Sequence, residues 1–188
     1  TWLWDFGNGN TSTLKNPTAI YANTGMYDVT LVVSVSTSIS ADSIVSNELI
    51  KVFENPVAEL TTTSLVNGCM PFLVSFEDLS FTNNTIVDWQ WDFGDGGSSS
   101  LQHPDYEYNT DGNFSVSLIV TDVNNCQSLS TELNLIDVDK EPTANFIADI
   151  PFSCNSNELI SFTNNTLGLA TYIWDFGDGN TSTQSNPA

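Results

Sequence analysis

Along most of this chain, apolar side chains recur at every second residue, the spacing that puts them on one face of a β-strand. Trp89, Trp91 and Phe93 alternate with Gln90 and Asp92; Phe72, Val74 and Phe76 form a second set, and Phe114, Val116, Leu118 and Val120 a third. No stretch carries helical periodicity. The pattern predicts strands over 57–60, 72–76, 89–93, 104–108, 114–120 and 129–138, with a reversal at Asp122-Val123-Asn124-Asn125. Short strands with turn signals every 8–12 residues describe an all-β sandwich. Its core is expected from Val74, Phe76, Trp91, Phe93, Tyr108, Phe114, Val116 and Leu118. An earlier segment repeats the later strands with Val29, Leu31, Val33 and Val35, and its turn region, 34–46, is expected to be the longer one.

One stretch is written three times: Trp4-Asp5-Phe6-Gly7-Asn8-Gly9, Trp91-Asp92-Phe93-Gly94-Asp95-Gly96 and Trp174-Asp175-Phe176-Gly177-Asp178-Gly179. The tryptophans are spaced by 87 and 83 residues. That period exceeds solenoid repeats of roughly 20–50 residues and approaches one small sandwich of about 100. The expectation is a tandem array: residues 1–54 lacking the first strands, 55–140 complete, and 141–188 lacking the last strands, a window cut from a longer protein. The junctions Phe53-Glu54-Asn55-Pro56 and Asp139-Lys140-Glu141-Pro142 are short and proline-bearing, which predicts a semi-rigid rod.

Each copy of the stretch reads as a strand ending in a tight turn, because Gly, Asn and Asp tolerate positive φ. A tryptophan beside a carboxylate also suits a sugar platform with an acid, but alternation and turn chemistry already account for every residue type. The stretch, followed by Thr181-Ser182-Thr183 and Asn186-Pro187, resembles the signature of the PKD domain, a module of immunoglobulin-like fold. The resemblance continues through Pro17, Tyr21 and Gly25-Met26-Tyr27-Asp28-Val29-Thr30-Leu31, and through Pro104, Tyr108 and Gly112-Asn113-Phe114-Ser115-Val116-Ser117-Leu118.

Charge removes several functions. Against 23 acidic side chains stand Lys15, Lys51 and Lys140 with no arginine, a formal net charge of −20. Without a basic stripe, nucleic acid is not an expected partner, nor is an anionic membrane surface. No apolar run reaches the ~20 residues that cross a bilayer, so no membrane insertion is expected in this segment. Gly-x-Ser-x-Gly and His-Glu-x-x-His motifs are absent. The single histidine, His103, takes the place of Asn16 and Asn186 in the sister copies, so a turn role is expected for it. The pair Asp92/Asp95 becomes Asp5/Asn8 in the first copy, an exchange no acid–base couple survives. Catalysis is therefore not expected.

Calcium is the one cofactor the resemblance admits. Asp92, Asp95, Asp175 and Asp178 are its candidate ligands, since oxygen ligands tolerate an Asp-to-Asn exchange. Cys69 and Cys154 precede the second strand of their copies, and Cys126 follows the long strand. Topology places Cys69 and Cys126 at opposite ends of one sandwich, roughly 20–25 Å apart, too far for a bridge. They are expected either as free thiols or as staples to neighbouring repeats outside this window. Ser43, in Asp42-Ser43-Ile44, resembles an O-glycosylation acceptor of Bacteroidota, and Asn10, Asn83, Asn113, Asn164 and Asn180 stand in Asn-x-Ser/Thr sequons.

Acidic, arginine-free PKD arrays resemble the giant cell-surface adhesins of Bacteroidota, including gliding-motility adhesins exported by type IX secretion. The resemblance implies an extracellular, non-catalytic stalk whose partners are neighbouring repeats and possible surface glycans or cell-surface proteins. Accessory modules of a secreted peptidase or polysaccharide-degrading enzyme are the alternative. Direct glycan binding would require Trp2 or Trp89 at the surface, and Trp89 is expected to be at least partly buried beside Trp91.

Overall fold

The computed structural model describes residues 1–35, 41–152, 154, 158–167 and 171–187, and every regular element among them is a strand. The first copy contributes β1 (Trp2–Asp5), β2 (Thr11–Ser12), β3 (Gly25–Ser34) and β4 (Ala41–Val52). The middle copy contributes β5 (Leu60–Thr62), β6 (Asn67–Cys69), β7 (Phe72–Asp78), β8 (Ile86–Asp92), β9 (Ser98–Ser99), β10 (Asp105–Tyr108), β11 (Gly112–Asp122) and β12 (Gln127–Asp139). The third gives β13 (Phe146–Ala148), β14 (Phe162–Asn164), β15 (Trp174–Asp175) and β16 (Thr181–Ser182).

The middle copy is a sandwich of a three-stranded sheet, β10-β7-β5, and a five-stranded sheet, β6-β12-β11-β8-β9. All eight residues expected in the core are buried there, joined by Leu60, Val120, Ile136 and Val138. Burying one such side chain contributes about 1.5–3 kcal/mol, so the set outweighs any surface contact in the molecule. The first copy is a single sheet, β2-β1-β3-β4, and the third is two ribbons, β13-β14 and β15-β16. The architecture is thus one complete immunoglobulin-like β-sandwich flanked by two partial copies.

An irregularity in the long hairpin recurs between copies. Phe114 pairs with Ile136 and Val116 with Glu132, so Ser115 alone faces three residues. Asn134 takes φ 50°, and its amide donates to Ser115 Oγ at 3.0 Å. In the first copy Tyr27 pairs with Ile50 and Val29 with Ser46; Glu48 takes φ 47°, and its amide donates to Asp28 Oδ1 at 2.7 Å. Bulges re-aim a strand, and both copies use the same one against the same neighbour.

Four expectations need correction. The opening strand begins at Leu60, while Val57 makes only an isolated bridge to Phe81. A short parallel strand, β6, had no period-two signal and was missed; it holds Cys69 beside Asp139 at the end of β12. The turn expected over 34–46 is mostly strand, since β4 begins at Ala41; residues 36–40 lie outside those described. Val33 and Val35 are exposed where alternation predicted an inward face, since among the described residues no second sheet packs on β3.

Candidate functional site

The repeated stretch is present in all three copies, and its turn hydrogen bonds are the same in each. The indole Nε1 of Trp4 donates to the Leu14 carbonyl at 3.1 Å, that of Trp91 to Leu101 at 2.9 Å and that of Trp174 to Gln184 at 2.8 Å. Each bond reaches ten residues ahead and ties β1, β8 or β15 to the segment beyond its turn. Asp5, Asp92 and Asp175 each accept the amide of Gly7, Gly94 and Gly177 at 2.9 Å, the Asx turn that ends the strand. Asn8, Asp95 and Asp178 then accept the amides of Asn10, Gly97 and Asn180. An Asn serves as well as an Asp because both offer the same acceptor oxygen.

Two glycines of each corner have positive φ, and for one of them sterics add a second demand. A Cβ on Gly94 would lie 2.4 Å from the Ser115 carbonyl oxygen, and one on Gly7 would lie 2.4 Å from that of Asp28. Ser115 and Asp28 are the bulge residues, so the corner seats directly against the bulge of the adjacent long strand. Tyr108 donates to the Phe93 carbonyl at 3.0 Å and Tyr21 to that of Phe6 at 3.2 Å. Burial, followed by the nearby Asp95 charge, raises the Tyr108 phenol well above its ordinary value and keeps it a neutral donor.

These contacts occupy the candidate calcium ligands with turn hydrogen bonds. Asp95 also accepts the Tyr106 hydroxyl at 3.0 Å, and the Tyr106 ring stacks on Phe93 with centroids 3.9 Å apart. The amide and side chain of Asn180 hold Asp178 below its ordinary carboxylate value. Among the described residues no group of three or more His, Cys, Asp or Glu side chains is placed to hold a metal ion.

His103 takes the turn role expected for it. Its Nδ1 accepts the Asp78 amide at 3.2 Å, as Asn186 Oδ1 accepts the Asn164 amide at 2.8 Å in the third copy. Ser43, expected in a turn, lies within β4 opposite Val32, where it is exposed. Cys69 and Cys154 are exposed, Cys126 is half-buried, and all three are free thiols. Cys69 and Cys126 flank opposite ends of β12; its pairing runs along β11 from Gly112 to Thr121, which at ~3.3 Å per residue separates them by more than about 30 Å, further than the strand lengths suggested.

Two buried carboxylates escaped the sequence reading. Asp78 accepts the Trp89 indole at 2.7 Å, the Gln102 side chain at 3.1 Å and the Ser80 amide at 2.9 Å. Asp122, fully buried, accepts the amides of Asn124 and Cys126 and the side chain of Asn84. Burial by itself would raise the Asp122 pKa; the four hydrogen bonds from Cys126, Asn124 and Asn84 outweigh it and hold the group below its ordinary value. The only sequence signal was a carboxylate at a strand end, and turns are full of those.

Trp89 is half-buried as expected. Trp2, its counterpart in the first copy, is 38% exposed. Lys15 Nζ sits 6.0 Å from the Trp2 ring centroid. Lys51 pairs with Glu48 and Lys140 with Asp111, both at the surface.

One two-sheet sandwich, with the same corner written again before and after it, defines an immunoglobulin-like repeat array. The chain belongs to the PKD domain family, whose profile matches residues 1–47 and 53–136. It is 35% identical over 81 residues to a microbial collagenase of Vibrio alginolyticus, covering 43% of this chain and 10% of the relative. It is 33% identical over 96 residues to the pre-pro-metalloprotease PrtV of Vibrio cholerae, covering 51% of this chain and 10% of the relative. The chain thus spans about a tenth of the length of these relatives. The crystal structure of the PKD1 domain of that Vibrio cholerae metalloprotease aligns with 46% of this chain and all of its own, at 28% identity and a TM-score of 0.40.

Proposed function

We propose that this chain is a non-catalytic accessory region of a longer extracellular protein, with PKD modules at 1–54, 55–140 and 141–188 that space and orient a catalytic domain. The observation that carries this is the corner itself. Its carboxylates and indole N–H groups are engaged in holding its own turn, which is what a scaffold requires and a catalytic site cannot afford. The alignments with a collagenase and a metalloprotease favour a peptidase as the neighbouring domain. Short proline-bearing junctions suit a spacer that keeps its reach. At the first of them Asn83 donates to Glu54 at 3.0 Å and fastens the linker to the module it enters.

A second reading, the stalk of a cell-surface adhesin that uses type IX secretion and serves attachment or gliding, is favoured by three copies in 188 residues. In that setting Cys69, Cys126 and Cys154 would staple successive repeats. Removing these residues from the intact protein separates the two readings. The accessory reading expects unchanged hydrolysis of a small soluble peptide and reduced hydrolysis of an insoluble one. The stalk reading expects lost attachment by a protein with no hydrolytic activity. Loss of hydrolysis of the small peptide would overturn both.

A further inference from the structure

Two glycines of the chain follow an asparagine, Gly9 after Asn8 and Gly68 after Asn67. An asparagine loses its side-chain amide when the backbone nitrogen of the next residue reaches it, and glycine, with no Cβ, opposes that approach least. The fold treats the two pairs differently. At the corner of the first copy, Asn8 Oδ1 accepts the Asn10 amide at 3.0 Å. That bond closes a small ring containing both the Asn8 side-chain carbonyl carbon and the Gly9 nitrogen. Gly9 takes φ 86°, nothing lies within 4 Å of where its Cβ would stand, and its amide makes no hydrogen bond among the described residues.

Asn67 is the more exposed of the two asparagines, yet its neighbour is locked. Gly68 pairs with Val138 in the parallel ladder, between the bond from the Asp137 amide to the Val66 carbonyl and that from the Met70 amide to the Asp139 carbonyl. A Cβ on Gly68 would lie 2.4 Å from the Phe72 ring. The Gly68 backbone therefore cannot turn toward Asn67 without parting β6 from β12. At Asn8 the hydrogen bond to Oδ1 works the other way: it draws charge from the carbonyl carbon and supports the oxyanion that forms on attack.

The geometry points to Asn8 as a site of spontaneous deamidation in the folded protein, with Asn67 protected. The Gly9 nitrogen gives its proton to solvent base and bonds to Asn8 Cγ; the Cγ–Nδ2 bond breaks, and that nitrogen takes a proton from water and leaves as ammonia. Water then opens the cyclic imide. Opening at Cγ yields aspartate, and opening at the main-chain carbonyl yields isoaspartate, with an extra methylene in the backbone. The third copy shows that the aspartate form fits. There Asp178 Oδ1 accepts the Asn180 amide at 2.9 Å and Oδ2 accepts the Asn180 side chain at 2.9 Å, and Asn10 stands in the place of Asn180. Aspartate loses only the bond from Asn8 Nδ2 to the Ile20 carbonyl, 2.9 Å long, whereas isoaspartate lengthens the backbone of the turn. This chemistry is independent of the spacing role, which stands whether or not Asn8 converts.

Incubation of the whole chain in warm, mildly alkaline buffer tests it, with and without denaturant. Tryptic cuts after Lys15 and Lys51 separate Asn8, in residues 1–15, from Asn67, in residues 52–140. Fragmentation mass spectrometry and labelling by isoaspartyl methyltransferase then read each site. The expected result is conversion of Asn8 at least tenfold faster than Asn67 in the folded chain, and comparable rates at the two sites in denaturant. Asn8→Gln should abolish the signal from residues 1–15, and Gly9→Ala should slow it severalfold. An Asn8 that stays intact over the time in which both sites convert in denaturant, a folded chain whose Asn67 converts as fast as Asn8, or a signal from residues 1–15 that Asn8→Gln leaves unchanged would overturn the proposal.

Discussion

The middle and third copies build the same corner on different foundations. Trp91 and Trp174 make equivalent indole bonds to the carbonyl ten residues ahead, and Gly94 and Gly177 close equivalent Asx turns. Yet Trp91 is 2% exposed between two sheets, whereas Trp174 is half-buried against Phe146 and Phe162, and among the described residues no counterpart of β11 or β12 lies beside it. The corner's shape is therefore written by local turn chemistry, and its stability by the sheets that close over it. The first copy stands between them: it has the bulge strand and the hairpin but, among the described residues, no opposing sheet.

Removing the ring should separate the copies most. Trp91→Ala is expected to cost about 3–5 kcal/mol of the middle copy's stability. Trp174→Ala should cost less than half of that, because less surface leaves water there. Denaturant titration read by segment-resolved hydrogen exchange checks both, and equal losses would break the comparison.

The glycine beneath the ring comes next. Gly94→Ala combines positive φ with a Cβ placed 2.4 Å from the Ser115 oxygen, so the loss should exceed the ~1–2 kcal/mol of the backbone conformation alone. Gly177 has the same φ and nothing within 4 Å of its Cβ, so Gly177→Ala should show only the conformational part. The same assay measures the difference.

Asp78→Ala leaves the Trp89 indole N–H without its acceptor and should cost about 1–3 kcal/mol, detectable as a lowered melting temperature and a shifted Trp89 indole resonance. Asn164, its counterpart, already supplies a neutral acceptor to the Thr166 amide, so Asn164→Ala should cost less.

Acid should act through Asp122. Its folded pKa lies below the ordinary 3.8, so the turn is stabilised at neutral pH, and that contribution disappears as pH falls from about 3.8 toward the folded value. Asp122→Asn should flatten this limb in a melting-temperature profile from pH 6 to pH 2.5. The smallest effect is a gain: Glu48→Asn, matching Asn134 in a position with φ 47°, should raise the first copy's stability slightly in the same assay, because Asn takes positive φ more readily than Glu.

Much of this was legible because period-two alternation and Gly/Asn/Asp turns are local signals. They located eight of the twelve buried core residues of the middle copy. What they missed depends on tertiary partners. β6 is three residues held only by parallel pairing to β12, and Val57 lost its place in the opening strand to Leu60. The inward face foretold for Val33 and Val35 needs an opposing sheet that alternation alone cannot guarantee. At the site, the repeat itself showed that Asp95 could become Asn8, which pointed to turn chemistry. Asp78 and Asp122 stayed hidden because burial of a carboxylate depends on the amides that reach it from distant segments.

Exchange of the tryptophan indole protons tests the central claim most directly, since each ring gives its own NMR signal. The account predicts that Trp91 Nε1–H exchanges only on global unfolding of its module, while Trp4 and Trp174, hydrogen-bonded in the same way, exchange at least tenfold faster. Equal protection of all three, or a Trp91 proton that exchanges as fast as the exposed Trp2, would contradict it.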